Sequence, residues 1–283
     1  MVELITSREK LVNYLESSQL SRGLVPTMGN LHQGHLTLIK ESINENDLTV
    51  VTIFVNPKQF GPNEDFDKYP RTLEADLDAI RSIDKALDKN VIVFAPEKIE
   101  DIYPEGFSST ISVHGFDQIL CAKDRPGHFD GVTTVVYILF NLIKARRAYF
   151  GLKDFQQTLI IRKMVKDLMI PIEIKLVEIV RDSNGLALSS RNKYLDLKQK
   201  EEALTLTKSI KKLKDSLLKS GIKDTIKMKD DILEDKRFVY LDILDVNNLH
   251  PLDDRSKEAV IAGAIMIGTT RLIDNTLVSL NVR

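Results

Sequence analysis

Two histidines three residues apart, in His32-Gln33-Gly34-His35, are the side chains of this sequence best suited to chemistry. They follow the short apolar run Gly23-Leu24-Val25-Pro26-Thr27 and a turn, Met28-Gly29-Asn30-Leu31. At this spacing both rings can share one face at the start of a helix. Imidazoles that donate to phosphate oxygens stabilise the charge that develops during attack on an α-phosphate. The helix start adds unpaired backbone N–H groups and a positive dipole end. Gly29 and Gly34 let a nucleotide approach the backbone closely. Taken alone, the four residues fit two ordinary histidines in a capping turn equally well. A metal pair is less favoured, because no nearby Cys or carboxylate completes a ligand set. There is no Walker A sequence, which disfavours a P-loop NTPase.

Four more segments place polar groups in turns that follow or precede apolar runs. Phe54-Val55-Asn56-Pro57-Lys58-Gln59-Phe60-Gly61-Pro62 offers the Gln59 amide, two donors and an acceptor on a Pro-stiffened loop. A rigid loop with an exposed Gln is the simpler reading of that segment alone. Arg125-Pro126-Gly127-His128-Phe129 is either a helix-capping turn or a loop whose Arg125 and His128 reach an anion. Gly151-Leu152-Lys153-Asp154-Phe155-Gln156-Gln157 carries Lys153, a point charge for phosphates, and Asp154, a candidate helix N-cap. Gln156 and Gln157 point about 100° apart on a helix and should not share a role. Arg181 to Asn192 sets Ser189, Ser190 and Arg191 after a Ser183-Asn184-Gly185 turn, either as a triphosphate clamp or as a hydroxyl-rich linker.

The elements that must position these groups alternate. Ser7 caps an amphipathic helix through Leu15. Strand patterns at 23–27, 48–55, 91–94, 147–150 and 172–180 alternate with helical patterns at 36–43, 73–83, 131–144 and 154–169. That order predicts right-handed βαβ units and a doubly wound parallel sheet. Ligands of such a sheet bind beyond the carboxyl ends of its strands. From about Asp182 the character changes. A Lys-rich helix over 198–218, apolar at Leu206, Ile210, Leu213 and Leu217, precedes strand patterns at 238–246 and 258–267. A domain boundary is expected near residue 181, with a smaller α+β domain over 182–283.

Lys plus Arg total 40 and Asp plus Glu total 41 among 283 residues, so the net charge of −1 gives no global reason to hold a nucleic-acid backbone. No run approaches the roughly 18 apolar residues of a membrane span. The N-terminal segment carries acidic residues and no signal-peptide core. The single cysteine, Cys121, can form no intrachain disulfide, so a reducing cytoplasm is expected.

Together the motifs resemble the pantothenate synthetase family over essentially the whole chain. They are Pro26-Thr27-Met28-Gly29, HxGH, FVNPxQF, RPGHFxGV, GxKDxQQ and GLAxSSRN, in that order. The resemblance implies a Rossmann-like ATP- and pantoate-binding domain over 1–181, a lid-like C-terminal domain over 182–283, and a homodimer. It also implies ligation of pantoate to β-alanine through a pantoyl-adenylate, with ATP as a substrate and Mg²⁺ required. The Mg²⁺ ligands are left open. By position, Met28, Gly29, Asn30, Leu31, His32, Gln33, Gly34 and His35 would bind ATP, with His35 as general acid. Gly151, Leu152, Lys153, Asp154, Val180, Leu188, Ser189, Ser190 and Arg191 would complete that site. Lys153, His32 and His35 would carry the phosphate chemistry. Gln59 and Gln157 would hold pantoate, with Gln59 also beside β-alanine. Leu152 stands where the family usually has Glu, and Asn184 where Asp is common. The family belongs to the HIGH-type nucleotidyltransferase superfamily, and another small-molecule nucleotidyltransferase of that superfamily would share HxGH but is not expected to carry Gln59 and Gln157 in these contexts. A class I tRNA synthetase would need a tRNA-binding domain. A nucleotide sensor need not keep His35, Lys153 and Arg191 together.

Overall fold

Neighbouring residues of the central strands divide between two cores, which is what a sheet covered by helices on both faces requires. Leu24, Val50 and Ile92 pack into one cluster, while their chain neighbours Val25, Val51 and Val91 pack into another. The computed structural model describes residues 2–280, except 63, 65, 88, 89 and 117, and only the backbone of 84–87.

The sheet is formed by β1 (Val2–Ile5), β2 (Arg22–Thr27), β3 (Leu48–Ile53), β4 (Asn90–Phe94), β5 (Arg147–Gly151) and β6 (Glu173–Val177). Its strand order is β1-β4-β3-β2-β5-β6, and every pair is parallel. Helices α1 (Arg8–Glu16), α5 (His128–Ile143) and α6 (Phe155–Asp167) contribute Leu11, Val136 and Ile161 to the first core. Helices α2 (Gln33–Glu45) and α3 (Leu73–Leu87) contribute Ile39 and Ile80 to the second. From β2 the order runs outward through β3 and β4, then returns to place β5 on the other side of β2. The carboxyl ends of β2 and β5 therefore flank the topological switch point, where a doubly wound sheet opens a crevice.

A second, three-stranded antiparallel sheet has the order β7-β8-β9: β7 (Phe238–Asp245), β8 (Glu258–Ile267) and β9 (Thr270–Ser279). Helix α7 (Leu197–Ile232) starts from an Asp196 cap box closed by Gln199. It packs Leu206, Ile210, Leu213 and Leu217 against this sheet. At Gly221, φ of +79° breaks its helical path, so the helix predicted to end near 218 resumes and continues to Ile232. A short helix, α4 (Leu120–Asp124), completes the set.

The chain divides into two compact units. One comprises Met1–Asp117, Arg125–Leu152 and Gln157–Glu178; the other comprises Gln118–Asp124, Lys153–Gln156 and Ile179–Arg283. The GxKDxQQ motif is thus divided: Gly151, Leu152 and Gln157 belong to the first unit, and Lys153 and Asp154 to the second.

Candidate active site

In the first unit, the loop after β2 is shaped by its own polar groups. Thr27 Oγ1 donates to Thr52 O at 2.7 Å and accepts the Gly29 N–H at 3.1 Å. Gly29 and Asn30 take φ of +79° and +51°, so the chain turns sharply before the helix. Asp76, on α3, is 2% exposed and accepts the N–H groups of Asn30 (2.9 Å) and Leu31 (2.7 Å). Thr72 Oγ1 donates to the same carboxylate. Asp76 carries no signal in the sequence, where it reads as an ordinary acidic position in the first turn of a helix.

The two histidines form a capping box at the start of α2. His32 is the N-cap, and its Nδ1 accepts the Gly34 N–H at 3.1 Å. The Nδ1 of His35 accepts the His32 N–H at 3.3 Å. The rings lie 4.1 Å apart between centroids. A neutral ring whose Nδ1 accepts carries its proton on Nε2, so both imidazoles are held in the Nε2–H tautomer, a hydrogen-bond donor. Capping and phosphate-directed chemistry are therefore compatible, because each uses a different nitrogen. A Cβ on Gly34 would stand 2.8 Å from His32 Cε1, so the glycine makes room for the capping ring.

Gln59 lies in a 3-10 turn (Pro57–Gln59) on the same rim, after β3. Its Oε1 accepts from Asn56 Nδ2 at 3.1 Å, and its Nε2 lies 3.0 Å from Met28 Sδ. The amide is oriented rather than loosely exposed, and it touches the loop that leads into HxGH. Asn56 is buried and also donates to Gly131 O, while its Oδ1 accepts from Tyr103 and from the Lys58 N–H. A Cβ on Gly131 would come within 2.2 Å of Lys58 O, so this glycine lets the turn lie on α5.

The RPGHF segment works on the same turn. Arg125 forms a fork on Glu64, at 2.6 Å and 2.5 Å, and donates to Gln59 O at 3.2 Å. His128 Nδ1 donates to Gln59 O at 2.8 Å, and its Nε2 accepts from Arg125 at 3.0 Å. Burial pushes the Glu64 carboxyl up, but the Arg125 hydrogen bonds and charge outweigh it and hold the group below its usual range. The guanidinium that the sequence could assign to an anion is thus engaged by a carboxylate of the chain, and it braces Gln59. Gln157 is half-buried on α6, and Leu152 is buried, an environment that suits a leucine.

In the second unit, Lys153 is about one-fifth exposed, with Nζ 3.4 Å from Asp154 Oδ1. Gln156 is buried and accepts the Cys121 N–H while donating to Ile119 O, so its amide is engaged by the backbone at the start of α4. Val180 O accepts the Leu188 N–H, and Arg181 bridges Ala187, closing a small hairpin over 180–188. Asp182 Oδ1 accepts the Asn184 and Leu186 N–H groups, with Asn184 exposed at the tip. Ser189 caps the following 3-10 turn (Ser190–Tyr194) by accepting the Arg191 N–H. Among the described residues, no group of three or more His, Cys, Asp or Glu side chains could hold a metal ion. No described helix is long and apolar enough to cross a membrane.

A parallel sheet of this order, with a histidine capping box on its switch-point rim, places the chain among Rossmann-like α/β proteins. The family model for pantoate-beta-alanine ligase matches residues 2–277. A pantothenate synthetase from Thermosipho africanus is 44% identical over 98% of this chain and 99% of its own length. One from Moorella thermoacetica is 44% identical over 99% and 100%. A solved pantothenate synthetase from Thermus thermophilus superposes with a TM-score of 0.90 at 38% identity, covering 98% of this chain and 99% of that one. A pantoate-beta-alanine ligase from Francisella tularensis, solved with beta-gamma ATP and beta-alanine, gives 0.75 at 34% identity over 98% of each chain. The chain belongs to the pantoate-beta-alanine ligase family.

Proposed function

We propose that this enzyme joins pantoate to β-alanine at the expense of ATP, through a pantoyl-adenylate. Family membership over nearly the whole chain supports the overall reaction. The observation that carries the site assignment is the oriented Gln59 amide touching Met28, on the rim that also bears the histidine box. A carboxylate is a poor electrophile. One pantoate carboxylate oxygen attacks the α-phosphorus, the bond to the bridging oxygen breaks, and pyrophosphate leaves. The β-alanine amine then attacks the acyl carbon, the bond to AMP breaks, and the amine loses a proton. Residues 28–35, 151–154, 180 and 188–191 handle ATP, while Gln59 and Gln157 orient pantoate. The Nε2–H groups of His32 and His35 and the Lys153 ammonium offset charge on phosphate oxygens. Mg²⁺ would accompany ATP and would help neutralise charge on its phosphates, with the phosphates as its main ligands. The family resemblance supports a homodimer acting in the cytoplasm, and the lone Cys121 agrees with a reducing compartment.

Exchange of pyrophosphate into ATP tests the order of steps. It should require pantoate and proceed without β-alanine. A requirement for β-alanine, or release of ADP and phosphate, would replace the adenylate reading with an acyl-phosphate ligase.

The brace on Gln59 makes a separate prediction. Glu64→Gln removes the charged partner of Arg125 and should raise the KM for pantoate about 5-fold, equivalent to ~1 kcal/mol, with the KM for ATP little changed. Because the Glu64 pKa is lowered in the folded chain, its contribution is full above the ordinary carboxyl value of 4.5 and is lost as the pH falls through the lower folded value. Steady-state kinetics of the variant check this. An ATP effect larger than the pantoate effect would show that the brace serves something other than Gln59.

A further inference from the structure

We propose that Asp274 and Asn275, adjacent in β9, are positioning residues for the groups that act on ATP phosphates. This rests on the ATP reading above. Successive residues of a strand face opposite sides of the sheet. Asp274 lies opposite Gly263, whose Cβ would meet Leu206 of α7 at 2.8 Å, so its side chain shares the α7 face. Thr207 of α7 donates to Asp274 Oδ2 at 2.9 Å. Arg181 forms a two-pronged pair with the same carboxylate, at 2.7 Å and 2.8 Å, and also donates to Gly185 O at 3.0 Å. Arg181 starts the hairpin that leads into Ser189, Ser190 and Arg191. Asp274 therefore fixes the root of the serine-arginine loop.

Asn275 turns the other way. Its Nδ2 donates to Lys153 O at 2.9 Å, across 122 residues of sequence. Its own N–H donates to Asp274 Oδ1 at 2.8 Å, which ties the two roles together. Both residues are 3% exposed. Burying a carboxylate and an amide in a strand costs stability unless each is fully paired, and here the pairing goes to the two phosphate-directed segments. An ammonium on a flexible four-carbon stem reaches a defined point only if its backbone is held. Asn275 holds it in the same unit, and from the same strand, as the loop bearing Arg191.

The test uses Asn275→Ala and the near-isosteric Asn275→Asp, which puts an acceptor against the Lys153 carbonyl. Each should slow pantoate-dependent pyrophosphate–ATP exchange by about 10- to 100-fold, as expected for misplacement of a catalytic group by about 1 Å. The KM for pantoate should stay within about 2-fold. Added to Lys153→Ala, either change should cost no more than about 2-fold further, because the group it positions is gone. Deuterium exchange at the amides of 153–157 should be about 5-fold faster in Asn275→Ala. An equal loss in both backgrounds, or unchanged amide exchange, would overturn the proposal. If the native enzyme showed no pantoate-dependent exchange, the ATP reading would fall, and the amide arm would still decide whether Asn275 anchors Lys153.

Discussion

Lys153→Ala is expected to slow adenylate formation by two or more orders of magnitude while leaving the fold intact. Lys153 follows β5 in sequence, just after the chain leaves the strand through Gly151. Its side chain is about one-fifth exposed, so it is neither a solvated surface lysine nor a buried charge. The one ion pair described for it, with the adjacent Asp154, is long at 3.4 Å, and a partner fixed next to it in sequence cannot take it out of play. Loss of ~3 kcal/mol of electrostatic stabilisation at the α-phosphate corresponds to a factor above 100. Lys153→Arg should recover only part of the rate, because a planar fork does not present charge as a compact ammonium does. Single-turnover quenching with ATP and pantoate, without β-alanine, measures the step. Adenylation close to the native rate in Lys153→Ala would remove the residue from the mechanism.

The sheet was legible because its strands are apolar on both faces and end in Gly- and Pro-rich turns. Val91 to Phe94 and the run from Leu48 have no other simple reading. Two strands carry no such pattern. β1 is four residues long, and its sequence, VELI, carries a charge. β9 includes Arg271, Asp274 and Asn275, whose polarity argues against a strand until their tertiary partners are known. The site divides along the same line. Groups proposed to meet substrate stand in motifs, so HxGH, Gln59 and Lys153 could be singled out as candidates, and the family resemblance assigned their roles. Groups that hold those motifs in place do not. Asp76 reaches the 28–31 loop from 45 residues away, and Glu64 engages Arg125 across 61. Such partners are ordinary charged residues in their own elements, and only the packed chain brings them to the loops they support. The serine-arginine segment shows the intermediate case. Its hydroxyls and guanidinium were visible, but its anchorage through Arg181 to β9 was not.

Substituting the two histidines by better capping residues should separate their structural from their chemical role. As a helix cap, His32 supplies only an acceptor to the Gly34 N–H, and His35 only an acceptor to the His32 N–H. Asn is among the preferred N-cap residues, and Gln at the third helical position is a usual capping-box partner. His32→Asn and His35→Gln therefore keep the box closed, and folding stability should change by no more than ~0.5 kcal/mol, a shift in the thermal midpoint of a few degrees. The Nε2–H groups are lost in both variants. If those donors meet phosphate oxygens as charge develops there, each substitution should lower the adenylation rate by ~10²–10³-fold, the scale of removing one preorganised donor. Gly34→Ala is a third arm: its Cβ would press on the His32 ring at 2.8 Å, tilting that donor without removing it, and a smaller loss is expected. Thermal unfolding and single-turnover adenylation, measured on the same preparations, give the comparison. Variants that stay stable but inactive place the histidines in the chemistry. Variants that keep both stability and rate would reduce HxGH to a capping turn and shift phosphate stabilisation onto Lys153 and Arg191.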